Sequence, residues 1–590
     1  MFKNNIDSKL LNLIWKNLRS KRKIQLLLIL ILSLISSISE IFSLSLVIPF
    51  LAAIINPNEI SNISLFSNII NFLGIQNNDN LILILTIIFV IALLFSSFIR
   101  ILNIKFSRIL SSCIGSDLSE KAFKKIINQP YDYHLNTNSS EIVVSITSFV
   151  GTTISVISFY LVISYSFLIS ISIVATLLYI NFSACLSSII VFSFAYLIFG
   201  NSSKKTLLKN SEIIANNNTK LIKRLQETLG LIRDIILDSS QNIYLKNFSK
   251  ADRRLRLLQA NNNYLAFFPK YILEAIGSIF IILFAYFYNL SITTEESYQL
   301  IAFLGAFALG LQKLLPLTQQ IYTGWASIRA NYTSVFRLLE IIDETEIKSK
   351  KYLKDNFDEF SFRSLELKDV SFKFSDSKEL ILKSVNFHIA AGDILGIVGT
   401  TGSGKSTILD ILLGLLEPNE GQLRINNLDP QKYEKINLLK ALRHKTAHIP
   451  QKIYLVDNTI AANIALEENH NLINYKKLIF CAKQAEIHGF VMSTPENYKT
   501  YVGEEGIQLS GGQIQRIGIA RALYKNPDIL IFDEATSALD NETEKKVMSN
   551  ILREYKGSTF IMVAHRLSTL KKCNKIFEVK NKNIYEIKKV

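Results

Sequence analysis

Gly399-Thr400-Thr401-Gly402-Ser403-Gly404-Lys405-Ser406 follows the apolar run Ile394-Leu395-Gly396-Ile397-Val398 and leads through Thr407 into a second apolar stretch. Glycines at this spacing let backbone N–H groups converge on an oxyanion at the N-terminus of the helix that follows. Lys405 adds a point charge suited to β- and γ-phosphate oxygens, and the Ser406 hydroxyl suits a magnesium shell. A second apolar run, Ile529-Leu530-Ile531-Phe532, ends in Asp533 and Glu534. Asp533 suits magnesium, directly or through water, while Glu534 stands where a base polarises an attacking water. The chemistry implied is nucleoside triphosphate binding and hydrolysis. It requires a strand, a loop and a helix in that order, so an α/β domain is expected over 365–590.

Leu509-Ser510-Gly511-Gly512-Gln513 resembles the signature sequence of the ATP-binding-cassette family. The resemblance extends across about residues 365–585, with the motifs in family order. It implies that Phe374 stacks on adenine, a position where the family more often has Tyr. It implies that Gln451 senses magnesium and water, and that Ser537-Ala538-Leu539-Asp540 is the D-loop. His565 would contact the γ-phosphate. Thr500 to Gly506 looks like the stretch that, in exporters, touches the coupling helices. The implied cofactors are ATP and Mg2+. In the family, Ser510, Gly511, Gly512 and Gln513 cap the ATP held by the opposite domain. A chain with one such domain therefore needs a second copy, most simply as a homodimer, although a heterodimer stays open.

The elements ahead of this domain are of another kind. Hydrophobic residues make up 49 % of the 590-residue chain, and mean hydropathy is +0.25. Nearly all the long apolar runs lie before about residue 330. A crossing helix takes about 20 apolar residues, and the candidates are 24–55, 81–104, 263–289 and 298–322. Residues 142–200 contain no Asp, Glu, Lys or Arg, which suits two spans joined by a hairpin at Asn181-Phe182-Ser183. The expectation is six spans over 1–345, a linker at 346–364 and the nucleotide-binding domain at 365–590.

Lys and Arg cluster before span one and in the connections after spans two and four. They are missing from 56–80, 181–183 and 286–297. This asymmetry places the N-terminus and the ATPase domain in the cytoplasm of a cell inner membrane. It also accounts for much of the formal charge of +16 through attraction to anionic membrane lipids, so a nucleic-acid partner is not expected. The four cysteines lie far apart and show no metal-ligand spacing.

The domain order resembles type IV exporters, which implies coupling helices near Gln129-Pro130-Tyr131-Asp132 and Ile235-Ile236-Leu237-Asp238. Charges within spans are functional candidates: Glu40, Arg100, Lys270, Glu274 and Lys313. Arg100, Lys270 and Lys313 are the candidate substrate contacts, although Lys270 and Glu274, four apart, also suit mutual neutralisation. Three cations against two anions suggest an amphiphilic substrate with an anionic head. The segments around Glu40 with Leu46 to Phe50, Pro269 to Gly277, and Lys313 to Pro316 resemble bacterial lipid-linked oligosaccharide flippases. So does 61–70, read as a short outer amphipathic helix. Gln319 and Gln320 stand where a further basic residue would strengthen that path. The alternative is a multidrug or peptide exporter of the same fold. A channel gated by ATP would be expected to show a damaged Asp533–Glu534 pair, and this sequence keeps both residues.

Overall fold

The computed structural model describes residues 6–47, 50–51, 54, 78–180, 182–289, 297–343, 360–374, 377, 379–430, 437–563 and 570–587. The chain divides into two compact units. One comprises Met1–Gln129 with His134–Glu346, and the other Pro130–Tyr133 with Ile347–Val590. Most of the expected linker, and all of 61–70, lie outside the described residues.

Among the described residues, five helices are long and apolar enough to cross a membrane: Ser20–Ser45, Ile82–Ile127, Ser139–Tyr179, Phe182–Gly230 and Gln241–Tyr286. The sixth expected span is the helix Ser297–Ala330, whose first side chains lie outside the described residues. Several helices far outrun the apolar windows that announce them. The 49 residues of Phe182–Gly230 reach about 74 Å at 1.5 Å per residue, more than twice the hydrocarbon thickness of about 30 Å. Short helices at Tyr131–Asn136 and Ile232–Leu237 break the chain between long ones, at the two positions named as coupling segments.

With no water to exclude, helices in lipid associate through close packing and hydrogen bonds. The third and sixth spans show the first of these: a Cβ at Gly310 would stand 2.7 Å from Leu177. Hydrogen bonds supply the second. Asn103 donates to the Ser33 hydroxyl at 2.8 Å, and Ser166 donates to Gln320 at 2.7 Å. Gln319 donates to the Ala266 carbonyl at 3.0 Å. The two glutamines that stand in place of a cation thus tie span six to its neighbours. Large apolar side chains, among them Leu27, Ile38, Leu94 and Phe194, face outward, as lipid-facing residues must.

Among the described residues, the second unit holds two sheets. Strands β1 (Ser364–Phe372), β2 (Leu382–Ala390) and β4 (Glu420–Ile425) pair antiparallel in the order β2-β1-β4. Strands β3 (Ile394–Gly399), β5 (Thr446–Ile449), β6 (Ile529–Asp533), β7 (Thr559–Val563), β8 (Lys575–Lys580) and β9 (Asn583–Ile587) form the other, in the order β5-β6-β7-β3-β8-β9. All its pairings are parallel except β8 with β9. The central strands are apolar on both faces: Leu395, Ile397, Leu530, Phe560 and Met562 are almost fully buried, the pattern of a parallel sheet covered on two sides.

Asp393 fixes the turn that launches β3. Its carboxylate accepts from the Ala390 N–H at 3.0 Å, the Lys575 ammonium at 3.0 Å and the Asn574 amide at 3.3 Å. Burial alone would raise this carboxyl, but the Ala390 N–H and Lys575 outweigh it and hold it below the usual carboxylate range. Asp393→Ala is therefore expected to cost about 1–3 kcal/mol of stability at neutral pH. A depressed folded pKa makes this stabilisation complete above the ordinary aspartate value of about 3.9. It is lost as pH falls through the lower folded value. Thermal melts of wild type and variant in detergent should thus converge in acid. A gap that stays constant would assign the effect to packing instead.

Candidate nucleotide site and the membrane-embedded charges

In a parallel sheet, neighbouring strands end on the same edge. Here β3 delivers Gly399 and the loop beyond it, β6 delivers Asp533 and Glu534, and β5 runs into Pro450 and Gln451. β7 ends two residues before His565, which itself lies outside the described residues. Three separate sequence motifs are thereby assigned to one edge by strand order alone.

The loop after β3 turns sharply into a helix. Gly404, at φ +104°, occupies the left-handed region and caps the helix Lys405–Leu412, where a side chain would be strained. The Lys405 ammonium donates to the carbonyls of Gly399 at 2.8 Å and Thr400 at 3.0 Å, which suspends it over the loop. Lys405 is only 8 % exposed. Thr400, Thr401, Gly402 and Ser406 line the exposed rim, and Thr407 is buried behind it. The Ser403 hydroxyl is buried without a hydrogen-bond partner. A helix N-terminus, a poised ammonium and an unpaired hydroxyl fit a polyphosphate. If a magnesium ion accompanies the phosphates, Ser406, Asp533 and Gln451 are the residues that would hold it, and the ion would neutralise phosphate charge.

The two acids of the pair sit in different surroundings. Burial, and then the neighbouring Glu534, push the Asp533 carboxyl above the usual range, with Lys405 pulling the other way. Glu534 sits at φ +50°, an uncommon and strained backbone for a non-glycine residue. Its N–H donates to the Val563 carbonyl at 3.1 Å, and its carboxylate accepts from the Gln451 amide at 2.8 Å. Gln451 and Glu534, 83 residues apart, are brought into direct contact. Phe374 packs edge-on against Phe372 with centroids 5.2 Å apart.

The signature segment opens the helix Gly511–Tyr524. Ser510 is its N-cap, and it forms a reciprocal capping box with Gln513, which leaves Gly511 and Gly512 at a helix N-terminus. Sequence reasoning missed what anchors it. Gln515 donates to the Ser537 hydroxyl at 3.1 Å and accepts from the Ala538 N–H at 2.9 Å, which ties the signature helix to the D-loop segment. It also missed Asp410, whose carboxyl is pushed up to about 6 by burial and by the Asp533 charge. Gln515 lies two residues beyond the signature and was open to notice. Asp410 carried no local signal.

In the membrane unit, the structure redistributes the candidate substrate contacts. Lys270 lies 3.8 Å from Glu274 on an exposed helix face, so this pair neutralises itself. Lys313 lies 2.7 Å from the Glu40 carboxylate and donates to the Ser43 hydroxyl at 3.3 Å. Two of the three cations counted toward an anionic path therefore carry a carboxylate partner, one of them across two spans. Arg100 acts on the same Glu40 carboxylate through space.

Comparison with known proteins follows this division. Residues 26–314 match the family described as ABC transporter transmembrane region, and residues 382–537 match the family described as ABC transporter. The chain is 44 % identical over 222 residues to an ATP-dependent lipid A-core flippase of Saccharophagus degradans, covering 38 % of this chain and 37 % of that one. It is 42 % identical over 222 residues to the alpha-hemolysin translocation ATP-binding protein of Escherichia coli O157:H7, covering 38 % and 31 %. The chain thus spans about a third of the length of these relatives. Across nearly its whole length it superposes on a bacterial Atm1-family ABC exporter solved with ATP bound, with a TM-score of 0.73 at 22 % identity, covering 96 % of this chain and 94 % of that one. With both domain families in this order and an exporter fold around them, the protein is a membrane-embedded member of the ABC transporter family.

Proposed function

We propose that this protein hydrolyses ATP to move an amphiphile with an anionic head, such as a lipid-linked oligosaccharide or another anionic lipid, across the cell inner membrane. Its working form is a dimer, most simply of two copies. Glu534 is the base that polarises water, and Lys405 with the loop 399–407 holds the phosphates. Ser510 to Gln513 of one copy close over the ATP of the other. The short helices at Tyr131–Asn136 and Ile232–Leu237 pass nucleotide-driven closure to the spans.

One observation carries the substrate class. Arg100, Lys313 and Glu40 form a charged cluster among buried hydroxyls of spans one and two. Charges in the hydrocarbon region are costly and persist where they serve transport. The likeness to a lipid A-core flippase supports the same class. A multidrug or peptide exporter is the second reading, favoured by the similarity to the hemolysin translocation protein.

ATPase activity in nanodiscs separates the two. Undecaprenyl diphosphate carrying an oligosaccharide is expected to stimulate turnover more than undecaprenyl monophosphate or a hydrophobic drug. Arg100→Ala should abolish that difference. Stimulation by drugs or peptides without a response to the lipid would transfer the protein to the second reading.

A further inference from the structure

Glu40 is 9 % exposed in the first span, and three other groups converge on it. Its Oε1 meets the Lys313 ammonium of span six at 2.7 Å. Its Oε2 accepts from the Ser96 hydroxyl of span two at 2.5 Å. Arg100, one turn further along span two, faces the same carboxylate electrostatically. Beside them Tyr165 of span three, 4 % exposed, lies near Ser36 and Arg100. Its hydroxyl makes no geometrically sound hydrogen bond. The cluster therefore contains two cations, one anion and a buried polar group left unpaired, which is an unusual expense in a membrane interior.

We propose that Glu40 is an internal counter-ion standing in for the substrate's anionic head, which displaces it from Lys313 on binding. This rests on the anionic-amphiphile reading above and names the residue that makes the site selective. In a low-dielectric interior neither Glu40 nor Lys313 is left without a partner at tolerable cost. The exchange avoids that cost. The incoming anion pairs with Lys313, while Glu40 keeps the Ser96 hydroxyl and the field of Arg100. Tyr165 adds a buried hydroxyl beside the pair. A neutral amphiphile brings no counter-ion for Lys313 and leaves the Glu40 pair closed, so selectivity arises from the pair to be broken as well as from the cations offered.

The pair also sets affinity. While Glu40 occupies Lys313, the fraction of protein competent to bind is reduced, and the apparent dissociation constant rises by the inverse of that fraction. Removing the charge of Glu40 should thus tighten binding, an outcome that a merely structural ion pair would not produce.

The test is equilibrium binding of undecaprenyl diphosphate to the full chain by native mass spectrometry, with undecaprenol as the neutral control. Glu40→Gln is expected to bind the diphosphate about 3–10-fold more tightly than wild type and to leave undecaprenol unchanged. Lys313→Gln should bind the diphosphate more weakly than either. Ser96→Ala, which removes one hydroxyl and spares the ion pair, should weaken binding about 2–3-fold by making the released carboxylate costlier. It keeps the proposal testable if Glu40→Gln does not fold. Wild type binding the diphosphate with Glu40→Gln no tighter, or Ser96→Ala no weaker, overturns the exchange and leaves the anionic-lipid reading standing. If neither wild type nor Glu40→Gln binds the diphosphate, both fall together.

Discussion

Glu534→Gln is expected to lower ATP turnover by about 10²–10⁴-fold, the range for loss of a positioned general base, with nucleotide binding retained. The structure makes this substitution unusually clean. The Glu534 backbone is held at φ +50° by the start of the loop after β6 and by the N–H bond to Val563, neither of which involves the side chain. The Gln451 amide donates to Glu534 at 2.8 Å, and a glutamine carbonyl at 534 can accept the same bond. Shape and contact survive while basicity disappears. Asp533 and the phosphate loop are untouched, so ATP should still bind and the variant should accumulate in a nucleotide-bound form. Measuring phosphate release and equilibrium ATP binding on the same preparation checks both halves. Turnover above about a tenth of the wild-type rate would remove Glu534 from the role of base.

Lys405→Ala is expected to weaken ATP binding by about 100-fold, from the loss of charge-assisted hydrogen bonds to phosphate oxygens worth about 1.5–3 kcal/mol each. The ammonium is already drawn to the loop by the Gly399 and Thr400 carbonyls, so little ordering remains to be done when phosphates arrive. Arginine should not rescue it, because a planar fork does not fit where a compact ammonium is enclosed by loop carbonyls. Affinity measured with a fluorescent ATP analogue, alongside a melting temperature to exclude unfolding, decides the matter. An unchanged affinity would place the phosphates elsewhere. Together the two variants separate binding from hydrolysis: one should lose nucleotide, the other should trap it.

The motifs around Lys405 and Glu534 were legible because each is local. A strand, a glycine loop and a helix start must be contiguous to cradle phosphate, so their residue types appear as an unbroken string. The spans were legible for a similar reason, since lipid demands about 20 apolar residues in a row. Their true lengths were not, because a helix that leaves the membrane changes to ordinary polar composition and carries no marker of continuing. The fate of the in-membrane charges was legible only in part. Lys270 and Glu274 share one helix face, so their pairing was visible in the spacing. Glu40 and Lys313 lie on the first and sixth spans, and spacing says nothing about which helices adjoin.

The sequence by itself determined that this chain spans a membrane and carries an α/β nucleotide-binding domain, and it named the candidate residues for phosphate binding and water activation. These properties depend on short-range patterns of polarity, backbone freedom and charge. The tertiary structure alone decided that Gln451 touches Glu534, that Gln515 ties the signature helix to the D-loop, and that Lys313 is neutralised by Glu40 while Arg100 looks on. The physical reason is one of range. Strand order and helix packing are set by burial of whole faces, and the pairings of individual polar groups follow only after those faces have met.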